Sequence, residues 1–151
     1  MKEQRRGGFL IAKIHQLSGR IFSRILKQHN INEINPAQGR ILFVLWEHDE
    51  IPITELSKKT QLEKSTLTAM LDRLEHDGYI RRLASKEDRR KTIIKRTDKD
   101  KSFQREYYQI SDEMTALFYK DFSETEIDRF EGYLQRILDN LLAPGDESRK
   151  D

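Results

Sequence analysis

The strongest chemical signal in this 151-residue sequence is a run of basic side chains between residues 81 and 96. Half of this segment is Lys or Arg, and only Glu87 and Asp88 are acidic. The basic residues are Arg81, Arg82, Lys86, Arg89, Arg90, Lys91, Lys95 and Arg96. A positive patch of this density attracts polyanions such as nucleic acids. Charge alone does not distinguish such a site from an ordinary solvated surface.

Within this segment, Asp88 precedes Arg90 by two residues, a spacing at which the carboxylate can hold the guanidinium extended. The narrow minor groove of A/T-rich DNA has an enhanced negative potential that attracts an inserted Arg. We therefore predict that Arg90 probes a minor groove, and the alternative is a loose surface ion pair. The other residues of this predicted DNA-contacting arm are Lys86, Asp88, Arg89 and Lys91.

A second group of candidate residues lies on a helix predicted over residues 64–77, which Gly78 ends. Its apolar residues share one face, and its opposite face carries mostly small or hydrogen-bonding side chains. The residues of that opposite face are Lys64, Ser65, Thr66, Thr68, Ala69 and Arg73. The three hydroxyl residues are predicted to read base edges in a major groove, and Lys64 and Arg73 to contact phosphates. The alternative is that the hydroxyls only cap and solvate the helix.

The surrounding elements are predicted from periodicity and capping residues. An apolar stripe predicts a helix over residues 9–29, and Asn35 with Pro36 starts a second helix that ends near Glu47. Thr54 is predicted to cap a short third helix that ends near Thr60. Two β-prone runs, 79–84 and 92–96, predict a hairpin with a long charged loop. This order of elements is typical of a winged helix-turn-helix, whose second helix enters the major groove.

Beyond Thr97 the apolar period is again helical. One predicted helix carries a stripe from Phe103 to Phe122, and a Ser123–Glu126 capping box starts a last helix that Pro144 and Gly145 stop. The predicted fold is therefore mainly α, with a small two-stranded β-wing between long helices. The predicted divisions are an N-terminal dimerisation helix (1–34), a DNA-binding domain (35–97), C-terminal dimerisation helices (98–143) and a flexible tail (144–151).

The apolar stripes of the terminal helices exceed what is needed to cover a winged module of roughly 60 residues. We therefore predict a homodimer, whose alternative is packing within one chain. The predicted interface residues are Leu10, Ile14, Leu17, Ile127, Phe130, Leu134, Ile137, Leu138 and Leu141. A two-fold dimer presents its recognition helices about 34 Å apart and binds a pseudo-palindromic site.

Residues 36–97 resemble the MarR (multiple antibiotic resistance regulator) family. The resemblance rests on residues 63–68 (Glu-Lys-Ser-Thr-Leu-Thr), 71–82 (Leu-Asp-Arg-Leu-Glu-His-Asp-Gly-Tyr-Ile-Arg-Arg) and 87–90 (Glu-Asp-Arg-Arg). It implies that residues 64–77 form the recognition helix, that Asp88 and Arg90 fill the Asp-x-Arg positions of the family's wing, and that the protein is an obligate dimer and by default a repressor.

The sequence departs from the family pattern after the wing. The family usually has Leu-Thr followed by a Gly three residues after the Thr, whereas this chain has Arg96-Thr97 and Asp100. The geometry of the junction into the following helix is therefore left open by the sequence.

The resemblance also implies a small aromatic effector bound in a crevice between the dimer helices and the winged module. The sequence offers His15, Arg20, Trp46 and Tyr107 as lining residues, each of which has an alternative role in packing or on the surface.

Other features exclude several classes of protein. The chain has no Cys, its four His are scattered, and no nucleophile elbow or phosphate-binding glycine loop occurs, so we expect neither an enzyme nor a metal or other cofactor. No apolar run is long enough for a membrane helix, so we expect a soluble, cytoplasmic protein. The net charge is +5 for residues 53–97 and −6 for residues 98–151. The main alternative function is a winged-helix architectural or protein-interaction module with little sequence specificity.

Overall fold

A computed structural model describes residues 3–143. In this range it contains six helices and three short strands. In chain order the elements are α1 (Gly7–Gln28), α2 (Pro36–Glu47), β1 (Ile51–Pro52), α3 (Ile53–Thr60), α4 (Lys64–His76), β2 (Ile80–Ala84), β3 (Thr92–Arg96), α5 (Asp98–Phe118) and α6 (Glu124–Leu141). The mainly helical winged architecture expected from the sequence is confirmed.

Capping residues start two of the helices as predicted. At α2 the Asn35 side chain accepts a hydrogen bond from the Gln38 backbone N–H at 2.8 Å, and the Gln38 side chain accepts one from the Asn35 N–H at 3.0 Å. Ser123 and Glu126 form the same reciprocal pair at the start of α6. Each pair satisfies backbone donors that the first turn of a helix leaves unpaired.

The start of α3 differs from the prediction that Thr54 caps it. The residue before α3 is Pro52, whose backbone is extended, and no side chain caps this helix. Thr54 lies inside the first turn, where its own backbone is already helical. The predicted cap is therefore wrong by two residues, because Pro52 already holds the extended conformation that a capping position requires.

The sheet has three strands rather than the predicted two. Their order is β1-β3-β2, and both pairings are antiparallel. The additional strand is only two residues long and pairs Ile51 with Ile94 and Pro52 with Ile93. So short a strand shows no alternating pattern in the sequence, and its Pro lies at a sheet edge, where a missing backbone donor is tolerated.

The core lies among the helices and the inner face of this sheet. The residue spacing along α4 places Leu67, Leu71 and Leu74 on its buried face, and β2 and β3 contribute Ile80 and Ile94. Other fully buried apolar side chains are Leu26, Ile41, Leu42, Leu45, Leu56 and Ile110. Each such side chain stabilises the fold by about 1.5–3 kcal/mol relative to exposure. The core thus supports the outer face of α4.

The chain divides into two compact units, of which the described parts are residues 3–111 and 112–143. The end of α1 contributes Leu26 to the core of the first unit, and α5 contributes Phe103 and Ile110. The end of α1 and part of α5 therefore share one core with the winged module.

The second unit contains the last turns of α5 and all of α6. Tyr119 connects them, since its hydroxyl donates a hydrogen bond to Glu131 at 2.9 Å and its ring contacts Phe130 edge to face. Phe122, predicted to extend the stripe of the fifth helix, lies beyond the end of α5. The predicted helix stop at Pro144 and the tail 144–151 fall outside the described residues. No helix within residues 3–143 is both long and apolar enough to cross a membrane.

Candidate nucleic-acid interface

The outer face of α4 is exposed, as predicted. Lys64, Ser65, Thr66, Ala69 and Arg73 are all exposed, while the opposite face is buried in the core. Thr68 is half-buried, and its hydroxyl donates a hydrogen bond to the Lys64 carbonyl at 2.8 Å. The Thr68 proton is therefore used inside the helix, whereas the Ser65 and Thr66 hydroxyls face solvent.

The start of α4 leaves its first backbone N–H groups without a side-chain cap. The preceding turn is formed by Gln61 in the left-handed conformation (φ 56°) and is tied to α3, because the Ser57 hydroxyl donates to the Leu62 carbonyl at 3.1 Å. An uncapped helix start concentrates partial positive charge and free donors. This end of α4 can therefore contact a phosphate as well as base edges.

The second part of the surface is the wing, which comprises β2, β3 and the loop at residues 85–91. The loop is closed by backbone hydrogen bonds from Ser85 N to Lys91 O and from Lys91 N to Asp88 O, both 2.9 Å. The Ser85 hydroxyl accepts from the backbone N–H groups of Glu87 and Asp88 at 3.3 and 3.4 Å. The loop therefore has a defined turn geometry despite its charge.

Arg90 extends from this loop into solvent. The Asp88 carboxylate accepts hydrogen bonds from the Arg90 backbone N–H at 3.1 Å and from its Nε at 3.3 Å, and the Arg90 side chain is 93% exposed. The contact predicted from the Asp-x-Arg spacing is present. It restrains the side chain near Nε and leaves the outer nitrogens of the guanidinium accessible to a ligand.

The basic residues of this segment differ in exposure, which the sequence could not show. Arg82 and Arg96 are half-buried and form ion pairs with acidic residues of the same unit. The exposed residues are Arg81, Lys86, Arg89, Arg90, Lys91 and Lys95, of which Lys95 pairs with Glu50. The exposed positive charge is therefore concentrated in and beside the wing loop.

Arg82 connects the wing to α4. Its guanidinium lies 2.6 Å from Asp72 and 2.9 Å from Glu75, and its backbone N–H donates to Glu75 at 2.8 Å. Hydrogen bonds from Arg82 lower the pKa of Glu75 below its ordinary value. Sequence reasoning counted Arg82 in the basic run 81–96 and missed this contact, for which the available signal was that two carboxylates stand three residues apart on α4.

Arg96 forms a second connection, which sequence reasoning also missed. Its Nε lies 2.5 Å from the carboxylate of Asp100, and this carboxylate also accepts hydrogen bonds from the Trp46 indole N–H at 3.0 and 3.1 Å. Asp100 is fully buried, and burial raises the pKa of its carboxyl although Arg96 and Trp46 favour the charged form. The junction into α5, open at the sequence level, is a continuous entry built on these contacts.

The four predicted ligand-lining residues are not brought together. His15 and Arg20 line an open groove of about 620 Å³ between α1 and the start of α2, to which Arg40 also contributes. Trp46 and Tyr107 instead pack against each other in the aromatic part of the core, with ring centroids 5.0 Å apart. Within residues 3–143, these four side chains therefore do not line a single crevice.

The predicted interface residues lie on helix surfaces without a covering layer in either unit. Ile127 is half-buried, and the other eight are exposed by 38% or more. No residue of α6 is buried. Within the described range, no group of three or more acidic or histidine side chains is placed to hold a metal ion.

The elements that form this surface are similar to those of a known protein family. A family model described as MarR family matches residues 34–92, which include α2, α3, α4 and most of the wing. The chain carries a MarR family domain. The family expected from the residues of α4 and the wing loop is thereby confirmed.

Relatives of this MarR family domain are regulators of transcription. The chain is 36% identical over 81 residues to the HTH-type transcriptional regulator TtmR of Methylorubrum extorquens, covering 54% of this chain and 40% of TtmR. It is 24% identical over 133 residues to the HTH-type transcriptional repressor IacR of Pseudomonas putida, covering 88% of this chain and 78% of IacR. The aligned region spans less than half the length of TtmR and of two further relatives from Bacillus subtilis.

Solved structures extend the likeness beyond the family match. A mutant MarR from E. coli, complexed with operator DNA, is 26% identical with a TM-score of 0.77, covering 87% of this chain and 92% of that chain. A MarR transcriptional regulator from Methanosarcina mazei superimposes with a TM-score of 0.81 at 19% identity, covering 94% of this chain and 93% of that chain, and shows the shared fold.

Proposed function

We propose that this protein is a DNA-binding transcriptional regulator that inserts α4 into a major groove and the wing into an adjacent minor groove. The observation that carries the proposal is Arg90, held by Asp88 at the tip of the wing and almost fully exposed. It belongs to the same unit as the exposed polar face of α4. The similarity to a MarR structure complexed with operator DNA supports the DNA-binding part of the proposal.

The residues of α4 would divide the recognition between bases and backbone. Ser65 and Thr66, whose hydroxyls face solvent, are proposed to contact base edges, and Ala69 to meet a thymine methyl group. Thr68 can still accept a hydrogen bond through its oxygen. Lys64 and Arg73 are proposed to contact phosphates, together with Lys86, Arg89 and Lys91 of the wing.

We further propose that the protein acts as a homodimer and thus reads a two-fold symmetric site. The support is the exposed apolar face of α6, since a monomeric protein rarely leaves so many large apolar side chains in water. A closed dimer uses the same patch on both copies. Such a regulator would act in the cytoplasm beside its DNA.

The proposal also includes the direction of control and a small-molecule effector. IacR is named a repressor, and we propose the same direction of control here. The groove beside His15, Arg20 and Arg40 offers two guanidinium groups to the carboxylate or phenolate of a small aromatic effector. Binding would favour a dimer whose recognition helices are wrongly spaced for DNA. A thermal-shift screen of aromatic acids in which no binder alters DNA affinity would argue against this part.

The central experiment is selection of bound sequences from random double-stranded DNA, followed by affinity measurements at several salt concentrations. A specific regulator should recover a two-fold symmetric motif and keep preferring it as the salt concentration rises. An architectural module would bind all duplexes alike and lose affinity without discrimination. No binding to any duplex at low salt would refute the proposed function.

A further inference from the structure

We propose that Asp100 is a positioning residue that sets the angle of the wing through Arg96 and thereby aims Arg90 at the DNA. This inference rests on the proposed DNA-binding function but makes a separate claim about how the wing is held.

Asp100 is a buried carboxylate in the first turn of α5, with no exposure to solvent. Its two oxygens receive one guanidinium and one indole N–H, from Arg96 at the end of β3 and from Trp46 on α2. The Asp100 backbone N–H also donates to the Thr97 hydroxyl at 3.3 Å. One side chain therefore joins the base of the wing to two helices.

Arg96 makes two further contacts at the same point. Its Nη2 donates to the Gln104 side chain at 2.5 Å, and its backbone N–H donates to the Asp49 carboxylate at 2.9 Å in the segment between α2 and β1. The Arg96 side chain is only 11% exposed. A basic residue in this position contributes nothing to the exposed positive surface, and its contacts all serve to hold the end of β3.

Arg82 and Arg96 hold the wing in different directions. The contacts of Arg82 tie β2 to α4, whereas those of Arg96 tie β3 to α5 and to the segment between α2 and β1. Because the two strands are paired along their full length, from Ile80 with Arg96 to Ala84 with Thr92, a rotation at Arg96 is transmitted to the loop that carries Arg90.

Arg96 and Asp100 form an ion pair that is largely buried, with the two side chains 11% and 0% exposed. A buried ion pair gives little net stability, because desolvation offsets the attraction between the charges, and its best-supported use is to specify one arrangement. Arg96, Asp100 and Trp46 together thus form a specific contact at the base of the wing, here called the joint.

The first test compares Asp100→Asn with Asp98→Asn in the full chain. Asp98 lies in the same turn of α5 but is fully exposed, so its variant makes the same charge change outside the joint. Trp46 is the only tryptophan, so its emission reports on the joint directly. We expect Asp100→Asn alone to shift this emission and to speed amide hydrogen exchange in β2 and β3 by about tenfold, with α4 unchanged.

The second test is a pair of double-mutant cycles on the duplex recovered by selection, at one fixed salt concentration. Arg90→Ala should weaken binding by about 5- to 150-fold in the wild-type background but by less than about threefold in the Asp100→Asn background. Thr66→Ala on α4 should weaken binding by the same factor in both backgrounds, because α4 is supported by the core.

Several results would overturn the inference while leaving the proposed function intact. These are an unchanged Arg90→Ala factor in the Asp100→Asn background, a Thr66→Ala factor that falls in that background as much as the Arg90→Ala factor does, or faster exchange throughout the chain. If Asp100→Asn does not fold, the double variant Arg96→Gln with Asp100→Asn replaces it, because it keeps hydrogen-bonding groups without an unpaired charge. The same exchange rates, emission and binding factors are then measured in this double variant. Absence of DNA binding by the wild-type chain would refute the proposed function and the aiming of Arg90 at DNA, whereas the exchange and emission experiments need no DNA and test separately whether Asp100 holds the wing.

Discussion

The core elements within residues 3–111 bury their apolar side chains, whereas α6 within residues 112–143 leaves its apolar side chains exposed. In the first unit, leucines and isoleucines of α2, α3, α4 and the sheet are buried in one core. In the second, no residue of α6 is buried, and Phe130, Leu134, Ile137 and Leu138 are exposed along one face. The same kind of helical stripe therefore forms a core in one unit and an open surface in the other. This contrast indicates that α2, α3, α4 and the sheet form a complete core within one chain, whereas α6 presents an apolar face that we propose a second copy covers, together with the exposed Leu10, Ile14 and Leu17 of α1.

The largest effect is expected from placing a charge on the open face of α6. Leu138→Asp should weaken dimerisation by about 3 kcal/mol or more, over a hundredfold in Kd, because the interface loses apolar area and gains an unpaired charge. Sedimentation equilibrium measures this change. Gly132→Asp is the matched control, because a Cβ at Gly132 meets nothing within 4 Å. A Leu138→Asp variant that remains dimeric would break the contrast between the units.

Substitution of one glycine in each unit tests directly whether the first unit is packed more tightly than the second. A Cβ added at Gly39 of α2 would lie 2.8 Å from the Tyr107 hydroxyl and 3.1 Å from its ring, so Gly39→Ala should destabilise the first unit by about 1–3 kcal/mol. Gly132→Ala in α6 should instead stabilise its helix by up to about 1 kcal/mol. Urea unfolding measures both effects. Tyr107→Phe, which removes the closest atom, should partly rescue Gly39→Ala, and the absence of any rescue would show that the crowding lies elsewhere.

Removing the exposed Arg of the wing should affect DNA binding without affecting assembly. We expect Arg90→Ala to weaken DNA binding by about 1–3 kcal/mol. Dimerisation should be unchanged, because the Arg90 side chain contacts Asp88 within the wing loop and is proposed to enter a DNA minor groove. Fluorescence anisotropy with a labelled duplex measures the affinity. Arg129→Ala on α6 removes an equal charge outside the wing and should leave affinity unchanged. Unaltered affinity in Arg90→Ala would remove this residue from the site.

The smallest expected effect is a loss of stability of the first unit at acid pH. The pKa of Glu75 lies below its ordinary value of 4.5 in the folded protein, because Arg82 donates hydrogen bonds to it. The stabilisation from this pair is therefore complete above about pH 4.5 and is lost as the pH falls through the lower folded pKa. Urea unfolding followed by Trp46 fluorescence should show this loss, and Glu75→Gln should reduce it. An identical pH profile in the variant would mean that Glu75 does not contribute.

Much of the candidate surface could be predicted because it depends on residues close in sequence. The Asp88–Arg90 contact spans two residues, and the exposed face of α4 follows from the spacing of Leu67, Leu71 and Leu74. The availability of the wing charges could not be predicted. Whether Arg82 or Arg96 faces a ligand depends on Glu75 and Asp100, whose positions are set by the fold.

The amino-acid sequence alone determined the helices, two of their caps and the left-handed turn at Gly78, where φ is 85°. These features follow from local periodicity, from side chains that cap their own helix and from the conformational freedom of glycine. Only the tertiary structure decided that β1 joins the sheet, that Trp46 meets Asp100 across 54 residues and that α6 is left uncovered in the chain. Each of these depends on which distant segments come together, and a pairing between distant segments leaves no periodic signal in the sequence.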